Sequence, residues 1–526
     1  RAEDGSTMYA RGQVATFKVI SGHRDSSYTA CPGQRLYNRM GDIRRLTKKY
    51  MGSNLVEPSA SPNVVHLGHR RDVTVKSRVL QQQTWTLTAT GLCGGGVVRK
   101  WSGTAGPHDP IKVVWNGRDE SGERVAGRYR LKLSSSGGGT QAWPWSSSVA
   151  MGVGGAARAS TGKTMGRAHG GTYVPIKPRV IADSATGQGV ARPLMLGPGS
   201  RVDVPVRGRG GVPATDVSSV AVSVVASCST SPTEVSVAPG GIGVHGANVV
   251  SLGRNSSARG FTLVRLGPDG GLTFRNAAGA VALNVSVVGY VSTAGGGGSL
   301  VPLPRHRLGG ASPLRVTPHS VQLPVAGRAR VPSSAQAVVL NVRRAGGSKV
   351  GALWAWPAGT HRPAPSTWRR DAGSAASSRV IVPIGDGGAI RVAGDRRGDV
   401  SFDVVGYVAA STTHKVHALV PKTITKGSDL VRHGDTVNLR VGGRAGVPDR
   451  AASALVQVSG DTGSRGAALT VWPRGRTRPS PVDLLVPRRA DRDGFVLVPI
   501  GKRGQIRVHA AKGSARVRVT VLGWVG

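Results

Sequence analysis

The chain has 526 residues, with 70 Lys+Arg against 27 Asp+Glu and a formal net charge of +43. Aromatic residues make up only 4%, and 77 glycines with 32 prolines break the chain every few positions. That composition excludes long coiled coils and favours short strands joined by turns. No run of eighteen apolar residues occurs, so no membrane-spanning helix is expected, and three cysteines are too few for a disulfide framework.

Val14–Ile20 is rich in β-branched and aromatic residues between glycines, which predicts a strand. Gly22-His23-Arg24-Asp25 and Thr29-Ala30-Cys31-Pro32-Gly33 follow it. His23 and Cys31 are strong zinc donors and would fill half of a tetrahedral site. Read without further context, an isolated pair of this kind is also compatible with a buried apolar cysteine and an unrelated histidine. Pro32 is placed at the first turn of a helix, where its missing N–H costs nothing. Leu36, Met40, Ile43, Thr47 and Tyr50 recur at helical spacing up to Gly52, the expected stop.

The string from Ile20 to Gly33, with Leu36-Tyr37 and Ile43-Arg44 behind it, resembles the C-terminal part of the zinc-dependent N-acetylmuramoyl-L-alanine amidases. That family includes the peptidoglycan recognition proteins. The resemblance implies that His23 and Cys31 are ligands of Zn2+, and that Thr29 lines the active site and stabilises the transition state. It further implies hydrolysis of the amide between the lactyl group of N-acetylmuramic acid and L-alanine, peptidoglycan as partner, and a secreted, cell-wall-associated protein. The family's third ligand is a histidine far upstream, as is a tyrosine in many members. Residues 1–22 hold no histidine, and Tyr9 is too close to serve as that tyrosine. The third ligand is therefore expected upstream of Arg1.

Residues 53–71, with Pro58 and Pro62, are read as a linker. A run of short alternating strands then begins: Val73–Val75, Thr84–Thr88 and Val97–Trp101. Trp115-Asn116-Gly117-Arg118-Asp119 leads through an Asp119–Gly122 turn to Gly127-Arg128-Tyr129. This region, 72–135, resembles the FlgD-like immunoglobulin module, with Trp115 and Tyr129 expected to plug a sandwich. Residues 136–172 are read as a second linker. The Trp143-Pro144-Trp145 element within it is either an exposed contact or a packing strap.

The remainder is a threefold repeat, at 173–292, 299–409 and 414–526. Each unit opens on Val-Pro (Val174, Val301, Val420) and carries a Gly-rich string ending in Val-Pro (Gly208–Pro213, Gly327–Pro332, Gly443–Pro448). Each then ends a strand on Pro-x-Gly or a variant of it, and closes on Gly289-Tyr290, Gly406-Tyr407 or Gly523-Trp524; the closing glycines are 117 residues apart. That period is a duplicated domain rather than a solenoid unit. The strands of the Leu/Ile-Gly-x-x-Gly strings (Leu266, Ile384, Ile500) are read as hairpins, and the closing strand, apolar on both faces, as central. Cys93 and Cys228 fall in different modules, so a bridge between them is not expected. The repeats are similar in architecture to C-terminal modules of secreted wall proteins from high-GC Gram-positive bacteria.

The fold class expected is therefore mainly β and multidomain: a truncated α/β amidase remnant (1–52), an Ig-like β-sandwich and three tandem antiparallel β-sandwiches. The repeats contain no His/Asp/Glu cluster at metal spacing and no Walker lysine. The positive charge has two readings. One is the codon bias of a GC-rich genome, with solvated loop arginines. The other is attraction to anionic wall polymers such as teichoic acids, with Arg207, Arg209, Arg328, Arg330, Arg444, Arg474 and Arg476 forming a polyanion-facing edge. Nucleic acid is disfavoured, since basic helices and stacking motifs are missing. A non-catalytic binder of cell wall or teichoic acid is the alternative to the amidase.

Overall fold

The computed structural model describes residues 8–526 apart from 11, 52–53, 69–71, 94, 138–139, 156–163, 168, 244–245, 311, 345–350, 365, 367, 370–375, 412, 426–428 and 481. The chain is mainly β, built from several antiparallel sheets, and no helix among the described residues is long and apolar enough to cross a membrane.

The N-terminal segment carries a single 3₁₀ turn (His23–Asp25) and two helices, α1 (Gln34–Asn38) and α2 (Met40–Met51). Three expectations change here. Residues 14–20 form no strand: Val14 and Val19 are exposed, and an isolated strand without a ladder partner has nothing to hold it. Pro32 precedes the helix, whose N-cap is Gly33 at φ +86°. The single helix read from the spacing is broken at Arg39. The stop expected at Gly52 lies outside the described residues.

Both supposed linkers contain strands. Residues 55–61 form β1 (Leu55–Ser61) and 64–66 form β2 (Val64–His66). The following strands are β3 (Val73–Val79), β4 (Gln83–Gly91), β5 (Val97–Ala105), β6 (Ile111–Trp115) and β7 (Gly127–Gly137). The second linker holds β8 (Thr140–Gln141) and β9 (Trp145–Gly154). β1-β3-β6 make one sheet and β9-β7-β4-β5 the body of another. Of the prolines that suggested a linker, Pro58 sits on β1, an edge strand whose register with β3 is broken between Val56 and Ser59, which is where a sheet tolerates proline, and Pro62 directly follows the strand. Trp115 is buried between the two sheets, its ring edge-on to Tyr129 at 5.1 Å and to Trp101 at 6.0 Å. Trp145 packs against the same core, whereas Trp143 is 88% exposed.

The first repeat begins with β10 (Thr172–Asp183) and β11 (Met195–Leu196) and continues through β12 (Arg201–Pro205), β13 (Val217–Ser227), β14 (Thr233–Pro239), β15 (Ala247–Leu252), β16 (Ala258–Arg265), β17 (Gly271–Asn276) and β18 (Ala282–Ser292). One sheet runs β10-β18-β13-β16 and the other β12-β17-β14-β15; the later repeats reproduce both orders. The Leu266–Gly270 string joins β16 of one sheet to β17 of the other, so it is a corner between sheets and not a hairpin. β18 is central, as expected.

The two-faced apolar character of the closing strand has a specific cause. Successive side chains of a strand point to opposite faces. Val285 and Val287 of β18 enter the core between the repeat's own two sheets, while Val288 and Val291 enter a second core shared by all three repeats. Val404 and Val521 are the counterparts on the private side, and Val405 with Val408, and Leu522 with Val525, on the shared side. β16 and its counterparts Ala376–Pro383 and Asp491–Pro499 are each at a sheet edge, and the three edges contact one another. The repeats thus close into a pseudo-threefold arrangement in which each unpaired edge is covered by another. Phe261 and Phe495 meet edge-to-face there, 5.0 Å apart.

Cys93 and Cys228 are bonded, contrary to the reading from sequence, with Cα atoms 5.8 Å apart. The modules that separate them in sequence are docked. β11 pairs in parallel with β9, Arg128 donates to the Ser229 carbonyl and to Asn255, and Val153, Met195 and Ala280 pack around Cys228.

Candidate functional site

The two strings that carry the zinc donors fold against each other. Arg24 N–H donates to the Cys31 carbonyl at 3.1 Å, closing the loop between the two donors. The Arg24 guanidinium donates to the Ala30 carbonyl at 2.7 Å and to Gln34 Oε1 at 2.9 Å, and lies 4.4 Å over the Tyr37 ring. Asp25 accepts from the Gly22 N–H at 2.8 Å and from the Tyr37 hydroxyl. These two hydrogen bonds, the tyrosine's first, hold the Asp25 carboxyl below its usual range, and the same contact raises the Tyr37 hydroxyl. Arg44 Nε ties α2 back to the Ile20 carbonyl at 2.8 Å.

Most letters of the motif therefore have a structural task. A side chain at Gly22 would press on Pro32 and Tyr37, each 3.0 Å from the added carbon, and the left-handed backbone of Gly33 suits glycine. His23 and Cys31 have no such task. Both are exposed, and Cys31 is a free thiol. Thr29, also exposed, accepts the Cys31 N–H at 3.3 Å through Oγ1. All three site residues read from sequence lie on this one loop.

The donor chemistry of His23 and Cys31 fits zinc, but two donors leave its tetrahedral shell half filled. Among the described residues no group of three His, Cys, Asp or Glu side chains is placed to hold a metal ion.

No protein-family model matches the chain. No curated protein matches it either. Among solved structures, a chain of the Sulfolobus Turreted Icosahedral Virus aligns at 9% identity over 68% of this chain and 91% of its own, with a TM-score of 0.15. The Bacteroides ovatus protein SGBP-B of a mixed-linkage glucan utilization locus, solved with a mixed-linkage heptasaccharide, aligns at 11% identity over 88% of this chain and 99% of its own, also with a TM-score of 0.15. Superpositions this loose carry no argument about fold or ligand.

The seven loop arginines do not share one edge. Arg209, Arg328 and Arg444 occupy equivalent turns of the three repeats, each turn closed by the next Val N–H donating to the arginine's own carbonyl. Arg207 lines a cavity beside Arg265 and His417 at the contact of the first and third repeats. Arg330 and Arg476, from different repeats, line another cavity together. Three further arginines of that second cavity, Arg305, Arg379 and Arg478, were not singled out in the sequence. The one local signal was a charge in the otherwise apolar strand Arg379-Val380-Ile381-Val382.

Proposed function

We propose that the chain is part of a secreted, zinc-dependent N-acetylmuramoyl-L-alanine amidase whose β modules associate with the cell wall. The observation that carries this reading is the His23–Cys31 loop. Arg24, Asp25, Tyr37 and Arg44 brace it, and the side chains of its two metal donors are left exposed. The motif around it resembles the ligand loop of that family along its whole length. In this reading residues 1–52 are the amidase remnant, the β1–β9 region is the FlgD-like Ig sandwich, and the three repeats are wall-facing modules with anionic wall polymers as partners.

His23 and Cys31 would hold the metal. Zinc, when bound, supplies a Lewis acid and a bound water whose pKa falls toward about 7. The chain's own contribution is positional. Arg24 and the Asp25–Tyr37 hydrogen bond fix the loop, and Thr29 stands two residues before the thiol with its hydroxyl on the same turn.

The apolar surface of the head supports the same reading. Met40 is its one buried hydrophobic residue among those described, while Met8, Val14, Phe17, Val19, Tyr28, Leu36 and Leu46 are exposed. Side chains of this kind usually have a covering layer.

The test is zinc-dependent release of stem peptide from purified peptidoglycan by the protein of the full reading frame, compared with its His23→Ala and Cys31→Ala variants. Loss of release in both supports the assignment. Equal release by the variants refutes it. A second reading, a non-catalytic binder of cell wall or teichoic acid, is favoured by the net charge of +43, and it predicts wall binding with no release and no zinc requirement.

A further inference from the structure

Between the second and third repeats lies a cleft of about 850 Å³. Arg305, Arg330, Arg379, Arg476 and Arg478 line it, with Asp483 as the one carboxylate among them. Trp472 and Leu497 form apolar wall, and the Trp472 indole N–H is already committed to the Arg476 carbonyl at 3.1 Å.

The floor is an ionic triad. Asp483 Oδ1 accepts from Arg305 at 2.9 Å and from Arg379, while Oδ2 accepts the Val471 N–H at 2.7 Å. Arg305 also donates to the Val482 carbonyl at 2.7 Å. The side chains of Arg305, Arg379 and Asp483 are 5%, 4% and 5% exposed. Two buried guanidiniums therefore share a single carboxylate whose acceptor capacity is largely taken up. Among the described residues, Nε of Arg305, and Nε and Nη1 of Arg379, find no hydrogen-bond partner.

A buried charge without compensation is costly, as is a buried donor left unpaired. Burial pulls Arg305 down to about 10 against the opposing pull of Asp483, with Arg379 adding to the effect, and burial lowers Arg379 against Asp483 and Asp403. An anion bound beside the two guanidiniums would relieve this setting. The exposed Arg330 and Arg476 at the mouth add charge of the same sign.

We propose that this cleft is a binding site for a phosphate group, either as the free ion or as the phosphodiester of an anionic polymer. A carboxylate offers two oxygens and is served by one guanidinium fork. A phosphate offers acceptors in several directions, which matches donors arriving from the floor, from the second repeat and from the third. The site belongs to the interface, since Arg305, Arg330 and Arg379 come from one repeat and Arg476, Arg478 and Asp483 from the next. It stands independently of the amidase reading, because it uses no residue of the head.

The test is calorimetric titration of the whole chain with inorganic phosphate and with poly(glycerol phosphate), and with acetate as control, all at matched ionic strength. Saturable binding of phosphate or of the polymer, and none of acetate, is expected. Binding of both places the free ion and the diester in the same site; binding of the polymer alone assigns the diester. Arg379→Met should weaken affinity about tenfold or more, the loss that accompanies removal of a charged donor. Should that variant fail to fold, the surface variant Arg330→Gln with Arg476→Gln decides, with an expected loss of about threefold or more from two exposed charges. The proposal is overturned if neither phosphate nor the polymer saturates, if acetate binds equally well, or if the folded variants bind like the parent.

Discussion

Removing the Cys93–Cys228 bond tests whether the β1–β9 region and the first repeat are one structural unit. The two cysteines are 135 residues apart. Closing a loop of that length costs the unfolded chain about 5 kcal/mol of entropy at 25 °C. That is the stabilisation expected from the bond when both modules unfold together. For a unit of this size, each kcal/mol moves the midpoint by about 2–4 °C, so a fall of about 10 °C or more is expected. The change to make is Cys93→Ser with Cys228→Ser, since a single substitution would leave a second free thiol in the chain in addition to Cys31. Scanning calorimetry, with and without reductant, reads the outcome. The parent in reductant and the double variant should show the same lowered transition. The noncovalent contacts, the β9–β11 pairing and the Arg128 hydrogen bonds, should hold the docked form at low temperature. A transition unmoved to within about 2 °C would refute the reasoning and mean that the two modules unfold separately.

Asp491 faces Asp461 across the β-ladder, with Glu234 of the first repeat and Asp493 nearby. Burial and then these carboxylates push it up to about 6. A carboxyl raised in the folded state favours the protonated form. Its penalty is absent below the unfolded value near 3.8 and is fully felt above about 6. Asp491→Asn should stabilise the protein by about 1 kcal/mol at pH 7.5, after allowance for solvent screening, and should have no effect near pH 3.5. Denaturant midpoints at the two pH values check this, and a gain of equal size at both would contradict it. Gly289 sits where β18 passes the fully buried Tyr173, and an added methyl group would overlap that ring and its hydroxyl. Gly289→Ala should therefore cost about 1–3 kcal/mol, measured by urea unfolding; a neutral result would mean that the ring has room to move.

The repeat was legible because duplication copies its punctuation. The closing glycines return at a fixed interval, and each marks a place where one strand crosses close over another. The head motif was legible for a related reason: Gly22, Asp25, Pro32 and Tyr37 form one small packed unit within sixteen residues of chain. The strands in 55–66 and 140–154 were not legible. They are short, irregular or proline-bearing, and become strands through partners such as β3 and β7.

Local chemistry by itself determined that the chain is mainly β, that its last three modules are copies, and that His23, Thr29 and Cys31 belong to one loop. Those features depend on residues near each other in sequence, or on a pattern repeated along it. Tertiary structure alone decided that the copies share a central core, that Cys93 reaches Cys228, and that Arg305 and Arg379 converge on Asp483. Each of these joins residues about a hundred or more positions apart. Such contacts come from how sheet edges and faces cover one another, and no local pattern records which edge meets which.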